Sequence, residues 1–192
     1  MKPSHGFGPR IIHTLGPLWY NSLEDQNPLT GNTVGSRSKT DCAYIAGFLD
    51  GDGSLMLQIK KRKDGRAHLR FMPTICFYQD ARHAQPLVWI RTKLGIGYLS
   101  KRNDGMSELR INGYQQVHDI LKLLLPFVRF KKVQAIALCN ACAILSATRL
   151  RLMTARQLMT LTDLILVIQK ENYSTRHKRT REELYKVLDL TP

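Results

Sequence analysis

Two acids close a short run of apolar and small residues, Ala43-Tyr44-Ile45-Ala46-Gly47-Phe48-Leu49-Asp50-Gly51-Asp52-Gly53. On a helix, Ile45, Phe48 and Leu49 fall at i, i+3 and i+4 and form one apolar stripe. Gly47 and Gly51 are four apart and share a different face, bare of side chains. Each glycine costs about 1 kcal/mol of helix stability relative to alanine. Two on one face therefore call for a reason, and the close approach of a second backbone supplies it. The helix stops at Gly53 and leaves Asp52 at its C-terminal end, where the helix dipole is already negative. An acid in that position is unfavourable unless a cation compensates.

The elements that must position these residues follow in order. Residues 41–53 form the first helix, with Asp41 or Thr40 as its N-cap. Residues 54–62 alternate strictly: Leu55, Leu57 and Ile59 point one way, and Ser54, Met56, Gln58, Lys60 and Arg62 the other. Lys63-Asp64-Gly65-Arg66 is a turn signal, and residues 67–79 return as a second strand. Its apolar face is Leu69, Phe71, Ile75 and Phe77; its other face is His68, Arg70, Met72, Thr74, Cys76 and Tyr78. Pro73 removes a ladder donor, which predicts a bulge or an edge position. A helix over 81–94 ends at Gly95-Ile96-Gly97. Residues 98–102 and 107–111 form a second hairpin around Asn103-Asp104-Gly105. Helices over 114–125, 131–145, 155–170 and 182–188 complete the chain.

This order predicts an α+β domain with one antiparallel sheet, helices on one face and the other face free. The free face collects Gln58, Lys60, Arg62, His68, Arg70, Thr74, Tyr78, Tyr98, Ser100, Arg102 and Arg110. Such a set suits phosphate and base-edge contacts, and a sheet surface can enter the DNA major groove. The charge balance agrees. With 29 Lys and Arg against 15 Asp and Glu, the formal charge of +14 favours a polyanionic partner.

Residues 1–40, where many of the glycines and prolines fall, are expected to be a partly disordered extension, and residues 41–190 the folded domain. Cys139 and Cys142 have metal-ligand spacing but no matching second pair, so they read as core thiols of a buried helix. No apolar run reaches the roughly 18 residues that a membrane span needs, and no signal-peptide core is expected near the N-terminus.

The run Ile45 to Gly53 resembles the LAGLIDADG motif of homing endonucleases, present here once. The resemblance is to the single-motif, homodimeric, intron-encoded members acting on algal chloroplast and mitochondrial ribosomal RNA genes. It extends through Phe77-Tyr78-Gln79, Gly95-Ile96-Gly97-Tyr98, the block from Leu125 to Lys132, and the tail from Asn172 to Asp189. It covers roughly residues 42 to 190 and leaves out the N-terminal extension.

That resemblance implies an αββαββα fold with further C-terminal helices and a saddle-shaped sheet astride DNA. It implies a homodimer whose two motif helices pack through Gly47 and Gly51. It assigns Asp52 and the Gly51 carbonyl as Mg²⁺ ligands, Gln79 to order water near the scissile phosphate, and Lys131 to stabilise charge there. Ser174, Thr175, Lys178 and Arg179 would contact the DNA backbone near the cut. The implied activity is a double-strand cut in a long pseudo-palindromic target, leaving short 3′ overhangs and promoting intron homing. Chloroplast or mitochondrion is the expected location, with prokaryotic cytoplasm the alternative, and neither a membrane nor a small-molecule cofactor is expected. His83 and Val133 depart from the family's basic residues around the site. Two other readings of the same fold are an RNA-binding intron maturase and a non-catalytic DNA-binding regulator. The intact Asp52 and the single motif argue against the first. The second usually carries an added helix-turn-helix, for which the sequence gives no sign.

Overall fold

The computed structural model describes residues 38–61, 69–172 and 178–190. Helix α1 spans Lys39–Asp52, and Ser38 is its N-cap, its hydroxyl accepting from the Asp41 amide at 3.0 Å. The expected caps, Thr40 and Asp41, lie inside the helix. The Asp41 carboxylate instead pairs with Lys93 at 3.0 Å, and that contact holds it below the usual carboxylate range. Strands β1 (Gly53–Lys61) and β2 (Leu69–Asp80) form the first hairpin. A 3-10 turn, Ala81–His83, separates it from α2 (Gln85–Leu94). The single helix expected over 81–94 thus breaks at Ala84, where Pro86 supplies a fresh helix start. Gly95 ends α2 at φ 67°, the left-handed region that favours glycine. Strands β3 (Tyr98–Lys101) and β4 (Met106–Asn112) make the second hairpin. Four more helices follow: α3 (Tyr114–Leu124), α4 (Lys132–Ala147), α5 (Ala155–Glu171) and α6 (Arg181–Leu188).

The four strands form one antiparallel sheet in the order β1-β2-β4-β3. Side-chain alternation sorts the faces as the sequence pattern requires. Leu55, Leu57, Ile59, Phe71, Ile75, Phe77, Leu109 and Ile111 are buried in one core with Ile45, Leu49, Leu87, Ile90, Val117 and Leu121 from the helices. Each such side chain contributes about 1.5–3 kcal/mol of burial, which is what keeps α1 seated on the sheet. All four cysteines are buried, and burial pushes the Cys142 thiol up to about 12. Pro73 pairs with Leu57 in unbroken register, so there is no bulge. It lies where β2 has only β1 beside it, one residue short of the β4 pairing that begins at Thr74. That is the local edge a proline tolerates.

Candidate active site and nucleic-acid face

The site begins at the last turn of α1. Asp50 and Asp52 are two residues apart and face opposite fates. Asp50 is only 9% exposed. Its carboxylate accepts from the backbone N–H of Arg129 at 2.6 Å and of Lys131 at 2.9 Å. These charge-assisted bonds tie the turn before α4 to the end of α1. Asp52 is exposed, and its helix ends at Gly53, whose N–H returns to the Leu49 carbonyl. No Cβ fits at Gly53, because one would meet Leu49 at 2.6–2.8 Å. The glycine therefore lets β1 leave immediately after Asp52.

Lys131 completes the corner. Its ammonium donates to the Asp50 carbonyl and, at 3.4 Å, to the Gly51 carbonyl. A cation thus sits on the orphan carbonyls at the negative end of α1, the compensation that the dipole argument demands. Burial lowers the Lys131 pKa below the ordinary lysine value, opposed by the charges of Asp50 and Asp52. The donors here, a free carboxylate and a peptide carbonyl, are all oxygen and suit a hard divalent ion. Among the described residues no group of three or more His, Cys, Asp or Glu gathers. A cation at Asp52 would therefore need other oxygens, such as water, phosphate or a second chain.

The structure brings Asp52, Gly51 and Lys131 together. Gln79 lies two residues beyond Phe77, which pairs with Gly53, so β2 carries it to the same end of the sheet. It is half-buried, and its side-chain oxygen accepts from the Asp80 amide at 2.9 Å. The adjacent Asp80 carboxylate is held well below the carboxylate range by its hydrogen bonds to Arg82. His83 is exposed on the same turn.

The free face of the sheet carries the expected recognition residues in cross-strand rows. Lys60 stands opposite Arg70. Cys76 stands opposite Arg110, itself opposite Tyr98, and Tyr78 opposite Glu108, itself opposite Ser100. Lys60, Arg70, Arg102 and Tyr98 (70% exposed) are open to solvent; Gln58, Tyr78, Ser100 and Arg110 are half-buried. Thr74 corrects the expectation of an exposed contact residue. It is 1% exposed, and its hydroxyl donates to Asn112 Oδ1 at 2.7 Å. The neighbouring strands cover so short a side chain. Lys178 and Arg179 are exposed near the end of α5, where the Arg179 amide donates to Gln169 at 2.7 Å. Arg62, His68, Ser174 and Thr175 lie outside the described residues, as does nearly all of the expected extension.

Two residues of this site had no role from the sequence. Asp50 was legible only as part of the motif; the signal for its structural role is an acid four residues after buried Ala46, on the core side of α1. Glu108 is a buried acid on the basic face. It accepts from Ser100 at 3.2 Å, pairs with Arg110 at 3.0 Å and approaches Arg102 at 3.8 Å. Arg102 in turn lies over the Tyr78 ring and pairs with Asp104 at 2.9 Å.

Gly47 and Gly51 are exposed, and a Cβ at either would meet nothing within 4 Å. With Ala43 and Tyr44, also exposed, they form an open stripe along α1. No helix among the described residues is long and apolar enough to cross a membrane.

Comparison with known proteins agrees with this fold. Residues 45–137 match the LAGLIDADG endonuclease family. The chain is 36% identical over 93 residues to DNA endonuclease I-CvuI of Chlorella vulgaris, a match covering 48% of this chain and 58% of that protein. It is 30% identical over 92 residues to DNA endonuclease I-CreI of Chlamydomonas reinhardtii, covering 48% and 56%. The chain thus spans a little over half the length of the curated relatives it matches. A solved structure of I-CvuI with an I-CreI target in 2 mM Mg, its DNA not cleaved, superposes with a TM-score of 0.66 at 25% identity, covering 79% of this chain and 94% of that one. The archaeal intron-encoded I-Vdi141I, complexed with DNA, shares the fold at a TM-score of 0.67 and 21% identity, covering 78% and 95%.

Proposed function

From a chain whose residues 45–137 match the LAGLIDADG endonucleases and whose fold is that of LAGLIDADG homing endonucleases, we propose that this protein is a site-specific double-strand DNA endonuclease working as a homodimer. One observation carries the reading. A free carboxylate, a peptide carbonyl and a lysine ammonium meet at the end of a helix whose neighbouring face is bare.

Hydrolysis of a phosphodiester needs an activated water and charge neutralisation on the phosphate. Asp52 and the Gly51 carbonyl would hold Mg²⁺, which supplies an activated water and stabilises the leaving oxygen. Lys131 presents positive charge where the phosphorane charge develops, preorganised by the carbonyls it already contacts. Gln79 would order water at the strand end beside them. The sheet face supplies affinity through Lys60, Arg70, Arg102 and Arg110, with Tyr78, Tyr98, Gln58 and Ser100 for base edges and sugar contacts, and Lys178 and Arg179 near the end of α5 add contacts to the DNA backbone. One carboxylate per chain fits two chains acting on two strands, with the open stripe of α1 as the seam. The product is a double-strand break with short 3′ overhangs in a pseudo-palindromic target, a cut that promotes intron homing in a chloroplast or mitochondrion. The relatives named above are DNA endonucleases, which favours this reading over an RNA-binding maturase.

The test is direct. Purified protein is incubated with Mg²⁺ and DNA carrying the intron-free insertion site, with EDTA as control. A metal-dependent double-strand cut with staggered 3′ ends is expected. Binding without any cut would overturn the catalytic reading; splicing of an intron RNA in its place would establish the maturase.

A further inference from the structure

Phe130 is 86% exposed, the most exposed of the large hydrophobic side chains among the described residues. This exposure is built into the structure. The amides on either side of it, those of Arg129 and Lys131, are both bound by the Asp50 carboxylate, and the Lys131 side chain reaches on to α1's last carbonyls. The turn is therefore fixed to α1 by four hydrogen bonds from Arg129 and Lys131, while the aromatic ring between them is held in water. At about 100° per residue, Asp50 projects roughly 60° from Gly47, on one flank of the stripe formed by Ala43, Gly47 and Gly51. Tyr44, 55% exposed and edge-on to Trp89, borders the other flank. Beyond Phe130 the outward face of α4 continues apolar, through Val133 and Ile136.

We infer that Phe130 is an anchor for a second copy of this chain, extending the α1 seam at its Asp52 end. The inference rests on the homodimer reading above. The area argument singles out this occupant. A stable interface buries about 1,200–2,000 Å² in total, and a seam of alanine and glycine has little side chain to give. An aromatic ring contributes about 150–250 Å², and two-fold symmetry presents each anchor twice. An isologous pair that brings both Asp52 carboxylates towards two nearby scissile bonds also brings both Phe130 rings to the same end of the seam. The turn that positions Lys131 would then be pressed into place by the partner.

Sedimentation without DNA tests this on wild type, Phe130→Glu, Phe130→Ala and Phe130→Leu, with circular dichroism to verify folding. A dimeric wild type, a dissociation constant at least about tenfold weaker for the glutamate variant, an intermediate loss for alanine and near-wild-type behaviour for leucine are expected. A dimeric wild type with folded glutamate and alanine variants dimerising equally well overturns the inference and leaves the homodimer reading intact. A wild type that stays monomeric at all concentrations overturns the homodimer reading, and the inference with it.

Discussion

The last turn of α1 and the sheet face beyond it handle charge in opposite ways. At the turn, nearly every charge is committed. Asp50 is buried on two amides and Lys131 sits on two carbonyls, so only Asp52 is left open. On the sheet, the first hairpin places Lys60 directly opposite Arg70, a like-charge pair that is destabilising until an anion joins it. The second hairpin gathers Arg102 and Arg110 around Glu108. The difference separates two tasks. Chemistry needs groups fixed before the substrate arrives. Phosphate binding profits from unpaired cations whose counterions are released on contact. Variants at the turn should therefore change the cutting rate at constant affinity, and variants on the sheet should change affinity at constant rate.

The largest effect is expected from Asp52→Asn, which keeps shape and removes the charge proposed to hold the metal. Single-turnover cutting should fall by at least about 10³-fold, given the several kcal/mol that a catalytic metal supplies, while the DNA dissociation constant changes by less than about threefold. Next comes Lys131→Met, with a loss of about 10²–10³ in rate, the usual result of deleting one charge-stabilising donor. Its pH profile sharpens the assignment. Burial lowers the lysine pKa, so the ammonium loses its proton earlier than a free lysine would, and cutting should decline as pH rises through that lowered value. The methionine variant should lack this alkaline decline. Stability has the opposite sign. Between the lowered and the ordinary value the unfolded chain binds more protons, so this group makes stability rise with pH there.

Asp50→Ala should act on folding first. Losing a carboxylate that holds two amides costs about 1.5–3 kcal/mol per bond at most, read as a lower urea midpoint, and cutting should fall because the Lys131 turn loosens. Equal loss of cutting from Asp50→Ala and Asp52→Asn with no loss of stability in the former would erase the distinction between the two acids. The smallest effect is expected on the sheet: Lys60→Ala should weaken binding across all sequences and reduce the salt slope by about 1, leaving the rate on saturated DNA unchanged.

Much of the fold was readable because its periods are strong. The alternation of Leu55, Leu57 and Ile59 and the Asn103-Asp104-Gly105 turn placed both hairpins, and Gly47 with Gly51 marked the open stripe of α1. The break at Ala84 was not readable, since Arg82 and His83 suit a helix as well as a 3-10 turn and only Pro86 hints at a restart. Thr74 shows a second kind of failure. Strand parity put it correctly on the free face, but its burial depends on the side chains of neighbouring strands, and no period encodes that. The roles of Asp50 and Glu108 are likewise tertiary. Asp50 meets amides some 80 positions away, and Glu108 gathers its arginines through the register of the second hairpin.

We propose that Asp52 is what makes this fold a nuclease. Wild type and Asp52→Asn, each at a concentration that saturates the intron-free site, are compared for double-strand cutting with Mg²⁺. Staggered cutting by the wild type and intact, fully bound DNA for the variant are expected. Cutting by the variant at the wild-type rate would contradict the assignment of Asp52.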